Sequence, residues 1–280
     1  MGWERGMTLR WISATALALT LLSAAGDASP AQAQAGEAPR PVLVELFTSE
    51  GCSSCPPADA LLRKLEGTHT ATGQWIIALS EHVTYWNRLG WSDPFSSETF
   101  TARQNDYGDR FQLDEVYTPQ VVVNGDRQVV GNDASAILEA VRQQNGTSPL
   151  KLEIPSITAE GGALLMTYSV SGAVPRQGVE VYVVLADDLD TSHVGHGENA
   201  GRTLSHVSVA RSLLRVATVK AAEQRTVIVA LPERAGVQYA GSRHLVVFAQ
   251  LPGLGKVLDV ASRPVPQTFP TTQLAVAAVH

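Results

Sequence analysis

Hydrophobic positions between Pro41 and Gln144 switch repeatedly between two periods. "VLVELF" is a short apolar run, and in "ADALLRKLEG" the residues Leu61, Leu62 and Leu65 recur on one side of a helix. "QWIIALSEH" predicts a second buried strand, and the polar, aromatic loop "VTYWNRLGWSDPF" follows it. "SSETFTARQNDYGDRFQL" predicts a helix capped by Ser96 or Ser97 with Glu98 close behind. "PQVVVNGDRQVVG" predicts two strands joined by the turn Asn124-Gly125, and "DASAILEAVRQQ" a helix capped by Asp133. The predicted order is β-α-β-α-β-β-α.

After "NGTSPL" the pattern becomes short apolar runs separated by turns: "LKLEI", "ALLMTYSV", "VEVYVVLA", "TLSHVSVA", "LLRVATV", "TVIVAL", "HLVVFAQL" and "KVLDVAS". Such spacing over about 115 residues predicts a β-sandwich of immunoglobulin-like size or a barrel, without the cysteines and tryptophan of true immunoglobulin domains. The expected organisation is an α/β domain over 36–146 followed by an all-β sandwich-like domain over 147–280.

Ahead of both, Arg5 and Arg10 precede "WISATALALTLLSAA", which runs into small residues up to "SPAQAQAGE". This is the layout of a secretory signal peptide spanning 1–35, with cleavage after Ala35 or Ala33. The run is shorter than the roughly 20 apolar residues of a membrane span, and no later segment has the length to cross a bilayer. A periplasmic or secreted location follows as the expectation. The net charge of −6 argues against a nucleic-acid partner and against a polybasic membrane patch. Secreted chains often carry several disulfides, yet this one has two cysteines, Cys52 and Cys55 in "EGCSSCPPADALL". A Cys-x-x-Cys pair admits a redox couple, half of a metal site or a structural disulfide loop.

The element order, the Cys-x-x-Cys after the first strand and the Thr118-Pro119 pair before the third strand together resemble the thioredoxin fold. That resemblance implies a thioredoxin-like first domain, with Cys52 at the amino end of a helix and Pro119 as a cis-proline facing the dithiol. "VELFTSEGCSSCPPAD", "EHVTYWNRLGWSDPF", "VYTPQVVVNG" and "GENAGRTL" more closely resemble secreted bacterial proteins catalogued as domain of unknown function 1223, a family with no activity to carry over.

Thiolate chemistry then assigns roles. A helix amino terminus favours a thiolate, so Cys52 is the expected nucleophile and Cys55 the resolving thiol. Pro56 biases Cys55 away from helical backbone, which predicts a regular helix only from Pro57. Glu45, the one charge in "VLVELF", is a candidate proton relay or else an acid at a sheet edge. His82, Trp86 and Trp91, with Tyr85, form a candidate substrate-facing wall, to which Thr118 belongs through its neighbour Pro119. His82 is also the residue on which a copper site beside the cysteines would depend.

Asp187, Asp188, Asp190, His193, His196, Glu198 and His206 gather in one expected loop, "DDLDTSHVGHGENAGRTLSH", without any standard metal-ligand spacing. "GHGENA" matches a dinucleotide fingerprint but lacks its strand and helix context. The resemblance to the family of domain of unknown function 1223 makes Glu198, Asn199 and Arg202 of interest for packing between the halves. The expected function is a periplasmic thiol–disulfide oxidoreductase that needs no cofactor or bound metal. Its partner would be a protein thiol or disulfide in the envelope. An envelope copper-binding protein and a non-catalytic binding module are the alternatives.

Overall fold

The strands pair both in parallel, as where a helix crosses between neighbours, and antiparallel, as where a turn joins them. The computed structural model describes residues 40–146, 148–160, 162–231 and 241–266. The expected leader, 1–35, lies outside the described residues. Strand β1 (Arg40–Thr48) leads through helix α1 (Pro56–Leu65) to β2 (Gln74–His82), and α2 (Glu98–Phe111) to the hairpin β3 (Gln120–Val123) and β4 (Arg127–Val130). Helix α3 (Ala134–Arg142) follows. Then come β5 (Leu150–Glu160), β6 (Ala163–Gly172), β7 (Val179–His193), β8 (Thr203–Val219), β9 (Glu223–Ala230), β10 (Arg243–Gln250) and β11 (Val257–Pro264). The helix starts are built as the side chains dictate: Ser97 Oγ accepts from Thr99 N–H and Asp133 Oδ1 from Ala136 N–H.

Eight strands form one mixed sheet in the order β11-β10-β7-β8-β2-β1-β3-β4, and β5-β6-β9 form a second sheet. This overturns the expected thioredoxin-like α/β domain followed by a sandwich domain. Among the described residues strand outweighs helix by 48% to 17%. The large sheet also does not end at β2: Ser80 pairs in parallel with Val209 of β8, carrying strands of the second half onto the first. No local pattern marks that pairing, because its partners lie far apart in sequence. The runs "TLSHVSVA" and "LLRVATV" are moreover one strand, β8, with register shifts opposite β7.

Alternation along β1 assigns its faces. Val42, Val44 and Leu46 pack with Ala58 and Leu62 of α1 and Ile137 and Val141 of α3. Leu43 and Phe47 project to the opposite face, into the clusters that hold Phe100 and Tyr107 of α2. The three-stranded sheet covers the inner face of β7 and β10, where Tyr168, Met166 and Leu164 meet Val181, Val183 and Val247. Burial on both faces explains why β1, β2, β7 and β10 read as nearly continuous apolar runs.

Candidate functional site

Beyond Thr48 the chain leaves the sheet through a tight turn that carries both cysteines into α1. Cys52 N–H donates to Ser49 O and Cys55 N–H to Cys52 O, each at 3.2 Å. Cys55 caps α1 with helical backbone, φ −79° and ψ −38°, and the helix begins at Pro56. The expected start at Pro57 is therefore one residue late. Ala58 and Asp59 N–H both donate to Cys55 O, at 2.8 and 3.1 Å, and these bonds outweigh the bias that a following proline imposes. Pro56 and Pro57 fit the first helical positions, and they remove two N–H groups that a helix start ordinarily leaves free.

Cys52 and Cys55 are joined in a disulfide, S–S 2.06 Å, and both residues are 0% exposed. Their cover comes from three segments. The peptide bond Thr118–Pro119 is cis, and Ser54 Oγ lies 3.4 Å from Cys52 Sγ and 3.5 Å from Thr118 O. Trp86 Nε1–H donates to Thr118 Oγ1 at 2.8 Å. Trp86 lies so close to Gly51 that a Cβ there would sit 3.0 Å from Trp86 Cβ, which is why this position lacks a side chain. The third segment is the tip of the β7–β8 hairpin. Asn199 Nδ2 donates to both Glu50 O and Cys52 O at 2.9 Å, and Glu198 Oε2 accepts from Ser53 N–H at 3.1 Å.

The polar stretch expected as one loop thus divides. Asp187 to His193 continue β7, Thr203 to His206 open β8, and the tip between them folds over the cysteines. Trp91 packs against this tip, with its ring 3.1 Å from where a Cβ on Gly195 would sit.

On the α1 face, behind the turn, lies a cluster of buried charge. Glu50 Oε2 accepts from Trp91 Nε1–H at 2.7 Å, and its Oε1 accepts from Ser192 Oγ–H and lies 3.3 Å from His206 Nε2. His206 Nδ1 lies 3.7 Å from Asp59 Oδ1, which also accepts from Thr48 Oγ1–H at 2.9 Å. Burial works against a charge on His206. The hydrogen bonds and charges of Asp59 and Glu50 outweigh it and raise the imidazole to about 10. The His82 ring stands edge-on to His206 with centroids 4.6 Å apart, and His82 Nδ1 lies 2.7 Å from Asp93 Oδ2. Although burial pushes Asp93 up, the charge and hydrogen bond of His82 and the N–H groups of Glu50 and Phe95 bring it down to about 2.

Cys52, Cys55, Thr118, Pro119, Trp86 and Trp91 therefore meet around one turn, with His82 in the buried layer behind it. Glu45 does not join them. It shares the α2 face with Leu43 and Phe47, where Arg103 Nε–H donates to Glu45 Oε1 at 2.6 Å and Tyr107 O–H to Oε2 at 2.8 Å. Seven residues separate Glu45 from Cys52, and a shift of one residue along a strand changes its face. The carboxylates behind the turn are instead Asp59 and Glu50. Asp59 follows Cys55 by four residues on one helix face, a spacing visible in the sequence. Arg103 was traceable as a cation four residues before Tyr107, with isolated acids Glu45 and Glu81 in two apolar strands. Among the described residues no group of three or more His, Cys, Asp or Glu side chains is placed to hold a metal ion.

These features define a mostly β protein with a mixed sheet, in which a covered Cys-x-x-Cys disulfide lies beyond the carboxyl end of the interior strand β1, against a cis Thr-Pro bond. Residues 43–250 match the model of a protein family of unknown function, DUF1223, and the chain belongs to that family. Among solved structures it is similar to protein AGR_C_4864 from Agrobacterium tumefaciens, with 25% identity, TM-score 0.58, and coverage of 84% of this chain and 98% of that one. It also shares its fold with HBP35 of Porphyromonas gingivalis, at 12% identity, TM-score 0.60, and coverage of 88% and 81%. No curated protein matches the chain.

Proposed function

We propose that this chain is an envelope thiol–disulfide exchange protein, with Cys52–Cys55 as the couple. The observation that carries the reading is the thinness of the cover: the disulfide is fully buried, yet Ser53, Ser54 and Glu198, which lie over it, are exposed. A disulfide deep in a hydrocarbon core would need global unfolding to react. Here, displacing one hairpin tip would admit a thiolate. That thiolate would attack Cys52 Sγ, forming a mixed disulfide and expelling Cys55 as a thiolate, which takes a proton; attack by a second thiol on the mixed disulfide would complete the reduction.

The zero exposure of both sulfurs favours a second reading, a structural staple of the turn. Equilibrating the native protein in a glutathione redox series, with alkylation of free thiols read by mass, separates the two. Exchange predicts a reversible two-electron transition between about −120 and −300 mV, lost in Cys52→Ser. A disulfide that opens only after the protein unfolds would establish the staple.

A further inference from the structure

A cleft of about 230 Å³ opens between the first turns of α1 and the start of β8, and its lining begins at Pro56, the residue after Cys55. Pro56, Asp59 and Arg63 line it from α1, and Arg202, Thr203 and Ser205 from the hairpin. Its two guanidiniums are each fixed through one nitrogen: Arg63 Nη1–H donates to Ser205 O at 3.1 Å and Arg202 Nη1–H to Asn199 Oδ1 at 2.7 Å. Both side chains are otherwise exposed, so each keeps further N–H donors for a ligand. The one carboxylate in the lining, Asp59, is 5% exposed; its Oδ1 is engaged inward by Thr48 and His206, while its Oδ2 is buried without a hydrogen-bond partner among the described residues.

We propose that this cleft binds the carboxylate of a small thiol or disulfide, delivering its sulfur to Cys52. The inference rests on the exchange reading and names a substrate class for it. Two arginines on opposite walls suit a carboxylate, which accepts paired N–H bonds. The volume lies below the roughly 300 Å³ at which pockets for larger ligands begin, which fits one small acid group. Pro56 directly follows Cys55, so a molecule anchored there holds its sulfur next to the couple. Occupancy also bears on the cover. Arg202 holds the oxygen of the Asn199 amide whose nitrogen holds Cys52 O, so a carboxylate drawing Arg202 toward itself loosens the clasp.

In the reduction direction, two thiols of the bound class would convert the protein disulfide to two protein thiols and leave as one small disulfide. The test compares glutathione, which carries two carboxylates, with uncharged dithiothreitol as reductants of the native disulfide. Glutathione's rate constant relative to dithiothreitol's should fall about tenfold or more in Arg63→Gln and Arg202→Gln, as expected for a lost charge-assisted hydrogen bond. S-methylglutathione, which cannot exchange, should raise the melting temperature of the wild type but not of Arg63→Gln. An unchanged ratio with no melting shift overturns the cleft assignment and leaves the exchange reading intact. A melting shift without native-state reduction by either thiol overturns the exchange reading and keeps the carboxylate site.

Discussion

Asn199 Nδ2 lies 2.9 Å from the carbonyl oxygen of Cys52, a residue 147 positions earlier in the chain. The same amide nitrogen reaches Glu50 O at 2.9 Å, so one side chain clasps the cysteine turn from the hairpin tip. Such bonds contribute about 0.5–1.5 kcal/mol each, and losing two should favour the uncovered state by about 2 kcal/mol. Asn199→Ala is therefore expected to be reduced by dithiothreitol at least about tenfold faster than the wild type while keeping its fold. Rate constants from quenched alkylation check this; equal rates would mean that Asn199 does not control access.

The Glu45–Arg103 pair lies on the other face of β1, 0% and 5% exposed at the side chains. Gln250 Oε1 accepts from Arg103 Nη2–H at 3.3 Å, while Gln250 Nε2–H donates to Tyr107 Oη at 2.9 Å, so the cluster ties α2 to β10. Arg103→Met would strand Glu45 without its cation. The expected loss is about 3–5 kcal/mol in urea unfolding, the range for breaking one side of a buried ion pair.

Glu81 belongs to the same cluster, with Oε2 3.9 Å from Arg103 Nε. Burial, and then the neighbouring Glu45 charge, raise its pKa well above the ordinary 4.5, against the opposing pull of Arg103. Between 4.5 and that raised value Glu81 therefore holds its proton more in the folded protein than in the unfolded chain. Its contribution to stability is present below 4.5 and declines as pH rises toward the folded value. Glu81→Gln should match the wild type in acid and exceed it at neutral pH, as seen in urea midpoints at the two conditions. A variant weaker than the wild type at neutral pH would show that Glu81 acts as an anion.

Backbone geometry gives a further test at the β3–β4 turn, where Asn124 and Gly125 take φ of 47° and 59°. A Cβ on Gly125 would meet Gly255 O at 2.6 Å and Gln250 Nε2 at 2.7 Å. Gly125→Ala is expected to cost more than the roughly 1 kcal/mol of left-handed strain alone, since the nearest atom is backbone. Chemical denaturation measures it, and a loss below that figure would mean the 251–255 turn yields freely.

The Asn124-Gly125 turn was legible in the sequence, as were the cap Asp133, the cap at Ser96 or Ser97 and the strands and helices around Cys52, because each rests on neighbours within a few positions. The architecture was not. The seam Ser80–Val209 joins strand edges by backbone bonds that carry no side-chain code, and β7 continues through Asp187 to His193 although its residues there are polar. Cys52, Trp86 and Pro119 could be gathered by motif. Asn199 could not be seen as the clasp, because its role depends on where a hairpin tip lands. Glu45 drew attention as a lone charge in an apolar run, but its face depends on register, which spacing from a turn outside the strand does not fix.

His206 supplies the pH dependence that tests the buried layer behind the disulfide. Its folded value of about 10 exceeds the ordinary 6.5, so folding favours the protonated imidazolium between Glu50 and Asp59. The linked stability is fully present below 6.5 and is lost as pH rises through about 10. Asp93 works on the acid side: its folded value of about 2 lies below 3.8, so its contribution is present above 3.8 and is lost as pH falls through about 2. These two groups alone would hold the melting temperature between 3.8 and 6.5 and lower it on both sides, in addition to the decline above 4.5 that Glu81 brings. His206→Gln should melt below the wild type near pH 6.5, because Glu50 and Asp59 lose their shared cation, and the gap should close toward pH 10. Calorimetry of the two proteins across that range decides the matter; a constant gap would show that His206 is neutral and that Glu50 and Asp59 are held by other means.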